Sequence, residues 1–191
     1  MAKLRTFIAA ELSSSVTAKA VKLIERLRAT GVEANWVKRE DMHLTLKFLG
    51  DVRDTDTPDV CRAVQAAAAT VEPFEVVFRG AGAFPDVRRP RTLWLGVTTG
   101  EEELVELQTA IEDGLHSQLG YPKERRRYVP HLTLGRVKHL PDDPQALAQA
   151  LEEASDYDGD LTTVEEVVTF ASFLRDTGPR YEALDHAPLA D

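Results

Sequence analysis

The chain of 191 residues carries 43% apolar residues, enough for a full hydrophobic core, and a formal net charge of −9. So acidic a chain is unsuited to coating nucleic acid without sequence preference, which relies on a basic surface releasing counterions, but it leaves room for a local phosphate site. A single cysteine, Cys61, excludes an intrachain disulfide and a cysteine-based zinc site and suits a reducing compartment.

The opening MAKLRTFIAAELSSS breaks at Glu11, too soon for a signal-peptide core, and reads as a first strand over residues 3–11. No apolar run is long enough to span a membrane, so the chain is expected to be soluble; cytoplasm is the expectation from its cysteine usage, and a monomer is expected. In SSSVTAKAVKLIERLRATG, Val16, Ala20, Leu23, Ile24 and Leu27 fall on one helical face, with serines to cap the start and Gly31 to end it. A short strand around residues 35–38 leads to a second over 43–49. Strict alternation there puts Leu44, Leu46 and Phe48 on one face and His43, Thr45 and Lys47 on the other.

Residues 56–71 form a second amphipathic helix through Val60, Val64, Ala67, Ala68 and Val71, with Cys61 read as a core residue. Strand FEVVFRG, loop AGAFPDVRRP, strand RTLWLGV and a helix over about 101–119 follow. The second HLTL strand comes after a basic loop with Lys123, Arg125, Arg126 and Arg127. A helix over 144–154 precedes a hairpin of VEEVVTFASFL and RYEALDH, joined through Asp176-Thr177-Gly178-Pro179. Two sets of alternating strands and helices, each with one HLTL strand and no linker between, suggest an α+β fold with largely antiparallel sheets, residues 1–191 forming one domain.

Several familiar signals fail. Gly80-Ala-Gly82-Ala-Phe-Pro85 has a proline where a dinucleotide fingerprint needs its third glycine. Asp156-Tyr-Asp158-Gly-Asp160 lacks the rest of a calcium loop and reads as a polar turn. His116, His139 and His186 have no metal-ligand spacing, so neither metal nor cofactor is expected.

The repeated HLTL, at residues 43–46 and 131–134, is the informative feature. With the leucines in the core, each strand presents one imidazole and one hydroxyl on its other face. A single copy would be an ordinary amphipathic strand with a polar surface. Two copies across a pseudo-two-fold supply two imidazoles and two hydroxyls, a set that suits a phosphodiester: one histidine takes a proton from the nucleophile, the other gives one to the leaving oxygen, and the threonines bond the non-bridging oxygens.

These paired motifs, with RTFIAAEL, NWVKREDMHLTLKFLGDV, FPDVRRPRTLW, YVPHLTLGRV and RYEAL, resemble the two-histidine (2H) phosphoesterase superfamily, and within it the bacterial RNA 2′,3′-cyclic phosphodiesterases, or 2′-5′ RNA ligases. The resemblance spans essentially the whole chain. It implies two pseudo-symmetric lobes, each with a mainly antiparallel sheet and outer helices, around a central cleft. It also implies hydrolysis of an RNA 2′,3′-cyclic phosphate to a 2′-phosphomonoester without metal, with reversible 2′-5′ ligation as a companion reaction. His43 would be the proton donor and His131 the acceptor, with Thr45 and Thr133 on the phosphate.

The family's basic residue after the second motif points to Arg136, which strand parity places opposite His131 unless the strand bulges near Gly135. Lys47 has the parity to line the groove. Phe7 and Trp94 read as core, and the arginines at 88–91 and 125–127 as guides for an RNA strand. Two alternatives stand beside this reading: a nucleotide-binding module with little turnover, and a 2H phosphodiesterase for small cyclic nucleotides.

Overall fold

A computed structural model describes residues 3–175 and 178–190. In chain order the strands are β1 (Lys3–Ala10), β2 (Glu33–Trp36), β3 (Leu44–Arg53), β4 (Phe74–Phe84), β5 (Thr92–Thr99), β6 (His131–His139), β7 (Asp158–Val164), β8 (Glu166–Arg175) and β9 (Gly178–Pro188). The helices are α1 (Ser14–Arg28), α2 (Thr57–Ala68), α3 (Glu101–Leu119) and α4 (Pro144–Glu153). They build two antiparallel sheets, one in the order β3-β1-β8-β9 and the other β2-β6-β5-β4-β7.

Each sheet holds one HLTL strand, but neither is a contiguous half of the chain. β2 crosses over to pair with β6, and the C-terminal hairpin returns to pair with β1. The helices are exchanged in the same way: α2 and α3 cover the β3 sheet, whereas α1 and α4 cover the β2 sheet. One continuous apolar core contains Leu44 and Leu46 of the first motif together with Leu132 and Leu134 of the second.

The local chemistry accounts for most of these elements. Ser13 caps α1 by accepting from the Val16 N–H at 3.3 Å, and Val16, Ala20, Leu23, Ile24 and Leu27 are buried as the spacing predicts. The hairpin of β8 and β9 is present, while Asp176 and Thr177 of its connection lie outside the described residues. Three differences from expectation have physical causes. β4 continues through AGAF, because Gly82 lets the Trp94 ring of β5 lie where a Cβ would stand. The stretch read as a polar turn opens strand β7 at Asp158, which pairs with Arg79 of β4.

The third difference is decisive for the site. In β3, Thr45 stands opposite Ala9 and Lys47 opposite Ile8, so Leu46 has no partner; in β6, Thr133 stands opposite Trp94 and Gly135 opposite Leu93, leaving Leu134 without one. Both strands therefore bulge at the fourth letter of HLTL, and each bulge reverses the alternation beyond it. Lys47 consequently turns away from His43 into the protein, and Phe48 turns outward, the reverse of simple parity.

The Lys47 ammonium, only 2% exposed, bonds Glu112 Oε1 of α3 at 2.6 Å and the Pro122 carbonyl at 3.1 Å. Burial alone would raise the Glu112 carboxyl, but donation from Lys47 and from the Glu124 N–H brings it below its ordinary value. Lys47→Ala is expected to destabilise the fold by roughly 1–3 kcal/mol, since it takes the cation from the half-buried Glu112 carboxylate and leaves the space around Lys47 unfilled. Lys47→Met combined with Glu112→Leu should cost far less, and urea unfolding of the three proteins checks the difference.

Candidate active site

The two histidines occupy matched settings. His43 Nδ1 lies 2.8 Å from the carbonyl of Asp41, and His131 Nδ1 lies 2.7 Å from the carbonyl of Val129, two residues back in each case. A carbonyl only accepts, so each Nδ1 carries the proton and each neutral ring keeps a lone pair on Nε2. The first ring rests on Phe7, centroids 4.7 Å apart, with the edge of Tyr181 at 5.3 Å; the second meets Phe84 edge to face at 5.0 Å. Aromatic packing and one backbone bond thus fix both orientations.

Two connections bring the motifs together across the sheets. β3 and β6 pack against each other, and Tyr128, just before the second motif, donates from its hydroxyl to the Thr45 carbonyl of the first at 2.9 Å. Tyr181, in contact with His43, also lines a cavity of about 850 Å³ together with Thr133 and Arg136. Arg28, Lys38 and Arg39 line the same cavity alongside Glu25 and Asp41, so its wall carries an excess of cations, as an anionic ligand requires.

Arg136 shares the face of His131 and Thr133 because the bulge at Leu134 makes Leu134 and Gly135 consecutive buried residues. Gly135 is needed there: a Cβ would approach the Trp36 ring to 2.8 Å. The loop bearing Arg88, Arg89 and Arg91 adjoins it, with the Arg91 carbonyl accepting from the Val137 N–H at 3.0 Å. Phe7 is buried as expected, as the floor beneath His43, and Trp94 is half-buried against Phe84.

Burial dominates the electrostatics of both imidazoles. It pushes His43 down to about 4, outweighing the opposing bond to the Asp41 carbonyl. His131 is likewise held below its ordinary value by burial, against the Val129 bond and with help from the Arg136 charge. Burial thus favours the neutral form of both rings.

Of the residues singled out from sequence, Thr133 and Arg136 line the cavity, His131 shares their strand face and His43 touches Tyr181 of the cavity wall, while Lys47 turns into the protein. The contributions of Tyr181, Tyr128, Trp36 and the carbonyls of Asp41 and Val129 were not foreseen. The carbonyls have a sequence mark only in hindsight, each standing two residues before a motif histidine. Among the described residues no three His, Cys, Asp or Glu side chains are grouped as a metal ion would require.

Two antiparallel sheets, each presenting a His-x-Thr strand, define the two-histidine phosphoesterase fold. The chain belongs to the 2′-5′ RNA ligase superfamily, whose family model matches residues 15–172. It is 34% identical to an RNA 2′,3′-cyclic phosphodiesterase of Methanothermobacter thermautotrophicus, over 96% of this chain and 97% of that protein. It is 33% identical to a protein of the same description from Thermotoga maritima, over 95% and 93%. The crystal structure of a Thermus thermophilus protein, TT0787, superposes with a TM-score of 0.81 at 26% identity, covering 97% of each chain.

The depressed His43 has a stability consequence. Its folded-state value lies below the unfolded one, so falling pH protonates the unfolded chain first, and stability drops between about pH 6.5 and pH 4. Replacing His43 by Asn should abolish roughly 2.5 kcal/mol of the loss seen between pH 7 and pH 4.5. Parallel urea titrations of the two proteins at both pH values measure it.

Proposed function

We propose that this chain is a metal-independent hydrolase of RNA 2′,3′-cyclic phosphate ends, producing a 2′-phosphomonoester and a free 3′-hydroxyl. Under this reading residues 1–191 act as one catalytic unit, a monomer in the cytoplasm, and need no cofactor. The carrying observation is the matched pair of Nδ1 bonds to backbone carbonyls, which leaves two imidazoles able to exchange a proton only through Nε2. The relatives described as RNA 2′,3′-cyclic phosphodiesterases supply the substrate.

In the proposed step His131 Nε2 accepts a proton as water oxygen attacks phosphorus. The P–O3′ bond breaks, and the proton on His43 Nε2 passes to the departing O3′. Thr45, Thr133 and Arg136 bind the non-bridging oxygens and the charge that grows on them. A bound phosphate raises the neighbouring imidazole, so His43, neutral in the empty cleft, is protonated together with substrate binding. A 5′-hydroxyl in place of water would give a 2′-5′ linkage through the same transfers.

His43→Ala and His131→Ala should each lower kcat by about 10²- to 10⁴-fold on an RNA ending in a cyclic phosphate. Product analysis should find the phosphate on O2′, with EDTA without effect; undiminished activity in either variant would overturn the assignment. Because both imidazoles are depressed, the optimum of kcat/KM should fall below pH 6.5, and that of kcat should lie higher. Arg136→Gln should raise KM and move upward the limb of the kcat/KM profile that His131 sets, since it removes a charge that holds His131 low; a profile unmoved on both limbs would count against His131 as a titrating group of the reaction.

A further inference from the structure

We infer that the open edge of β3 carries a nucleobase platform, Phe48, flanked by a phosphate track on Arg125 and Arg126, so that the cleft is built for an RNA strand and not for a lone nucleotide. This inference rests on the cyclic-phosphate reading above. Phe48 is 57% exposed, the highest value among the large apolar side chains that stand exposed in the described residues. It is five residues beyond His43, the place Arg136 holds beyond His131, and the matching bulge puts it on the His43 face. One motif is thus followed by a cation and the other by an aromatic ring.

The ring is held for stacking. Phe48 stands opposite Phe7, and Phe7 opposite Phe170, with ring centroids 5.8 and 5.2 Å apart. Because the Phe7 ring also supports His43, the imidazole and the exposed phenyl flank a single buried ring. An exposed phenylalanine contributes little to folding where it stands, but it offers a flat apolar face to a base beside the reacting phosphate.

Charge is carried on a neighbouring segment. β3 ends its sheet, and the segment 122–128 is tied to that strand at two points, where Lys47 donates to the Pro122 carbonyl and where Tyr128 donates to the Thr45 carbonyl. Between these anchors Lys123 pairs with Asp113 at 2.5 Å and Arg127 approaches Glu101 at 3.9 Å, whereas no ion pair among the described residues engages Arg125 or Arg126. Both are exposed. In a chain of net charge −9, two uncommitted guanidinium groups on a segment tied to the strand of an exposed ring supply the two elements that hold single-stranded RNA, stacking and backbone neutralisation.

The test is binding of a fluorescent RNA hexamer ending in a 3′-phosphate, with a nucleoside monophosphate as competitor. The wild-type protein should hold the hexamer about tenfold or more tighter than the mononucleotide. Phe48→Ala and the double change Arg125→Ala/Arg126→Ala should each remove most of that preference, and the double change should also flatten the salt dependence. Phe48→Trp should retain the preference and Phe48→Leu should not, which separates stacking from simple apolar packing. Equal affinity for hexamer and mononucleotide, unchanged hexamer binding by Phe48→Ala, or full rescue by leucine would overturn the inference. Since the readout is binding, a failure to hydrolyse cyclic phosphate would strike the proposed reaction and leave the platform standing.

Discussion

The candidate site depends on the unpaired leucine that ends each HLTL motif. Leu46 and Leu134 are buried as bulges, and each is followed by a second buried residue, Lys47 or Gly135, so the strand's outward face is re-phased. Without the bulge in β6, Arg136 would point away from Thr133; without that in β3, Phe48 would be buried and Lys47 would stand in the cleft. The cost of a broken ladder is offset by two leucines anchored in one continuous core.

A second constraint, the pair of imidazole bonds to backbone carbonyls, acts on protons. The carbonyls of Asp41 and Val129 dictate the tautomer, and the aromatic rings around each histidine exclude water and depress its basicity. The two settings are alike in hydrogen bonding but unequal in charge. Arg136 lies near His131, while His43 has rings of Phe7 and Tyr181 for neighbours. That inequality is a physical basis on which the proposed roles of acceptor and donor can be divided between two residues with the same local sequence.

Much of the site was legible in the sequence because its elements are local. Periodicity located the leucine face, and repetition of His-x-Thr marked the polar one. What escaped was non-local. No alternation rule reports a bulge, since a bulge is defined by the partner strand, and so Lys47 and Phe48 were assigned to the wrong faces. Tyr181 and Tyr128 reach the site from a C-terminal hairpin and a loop whose pairing and packing no local pattern specifies. The crossing of β2 into the other sheet escaped for the same reason, whereas Arg136 could be tied in advance to a bulge near Gly135 because the glycine and the motif lie side by side.

The central claim, that backbone carbonyls hold both imidazoles as neutral Nδ1–H tautomers ready for the proposed phosphate substrate, is tested most directly by nitrogen-15 NMR of the histidine rings. In the unliganded protein at pH 7, His43 and His131 should both show a protonated Nδ1 and an unprotonated Nε2. On addition of a nucleoside 2′-phosphate, His43 should move toward the imidazolium. A protonated Nε2 on either neutral ring, or no response of His43 to the phosphate, would contradict the account.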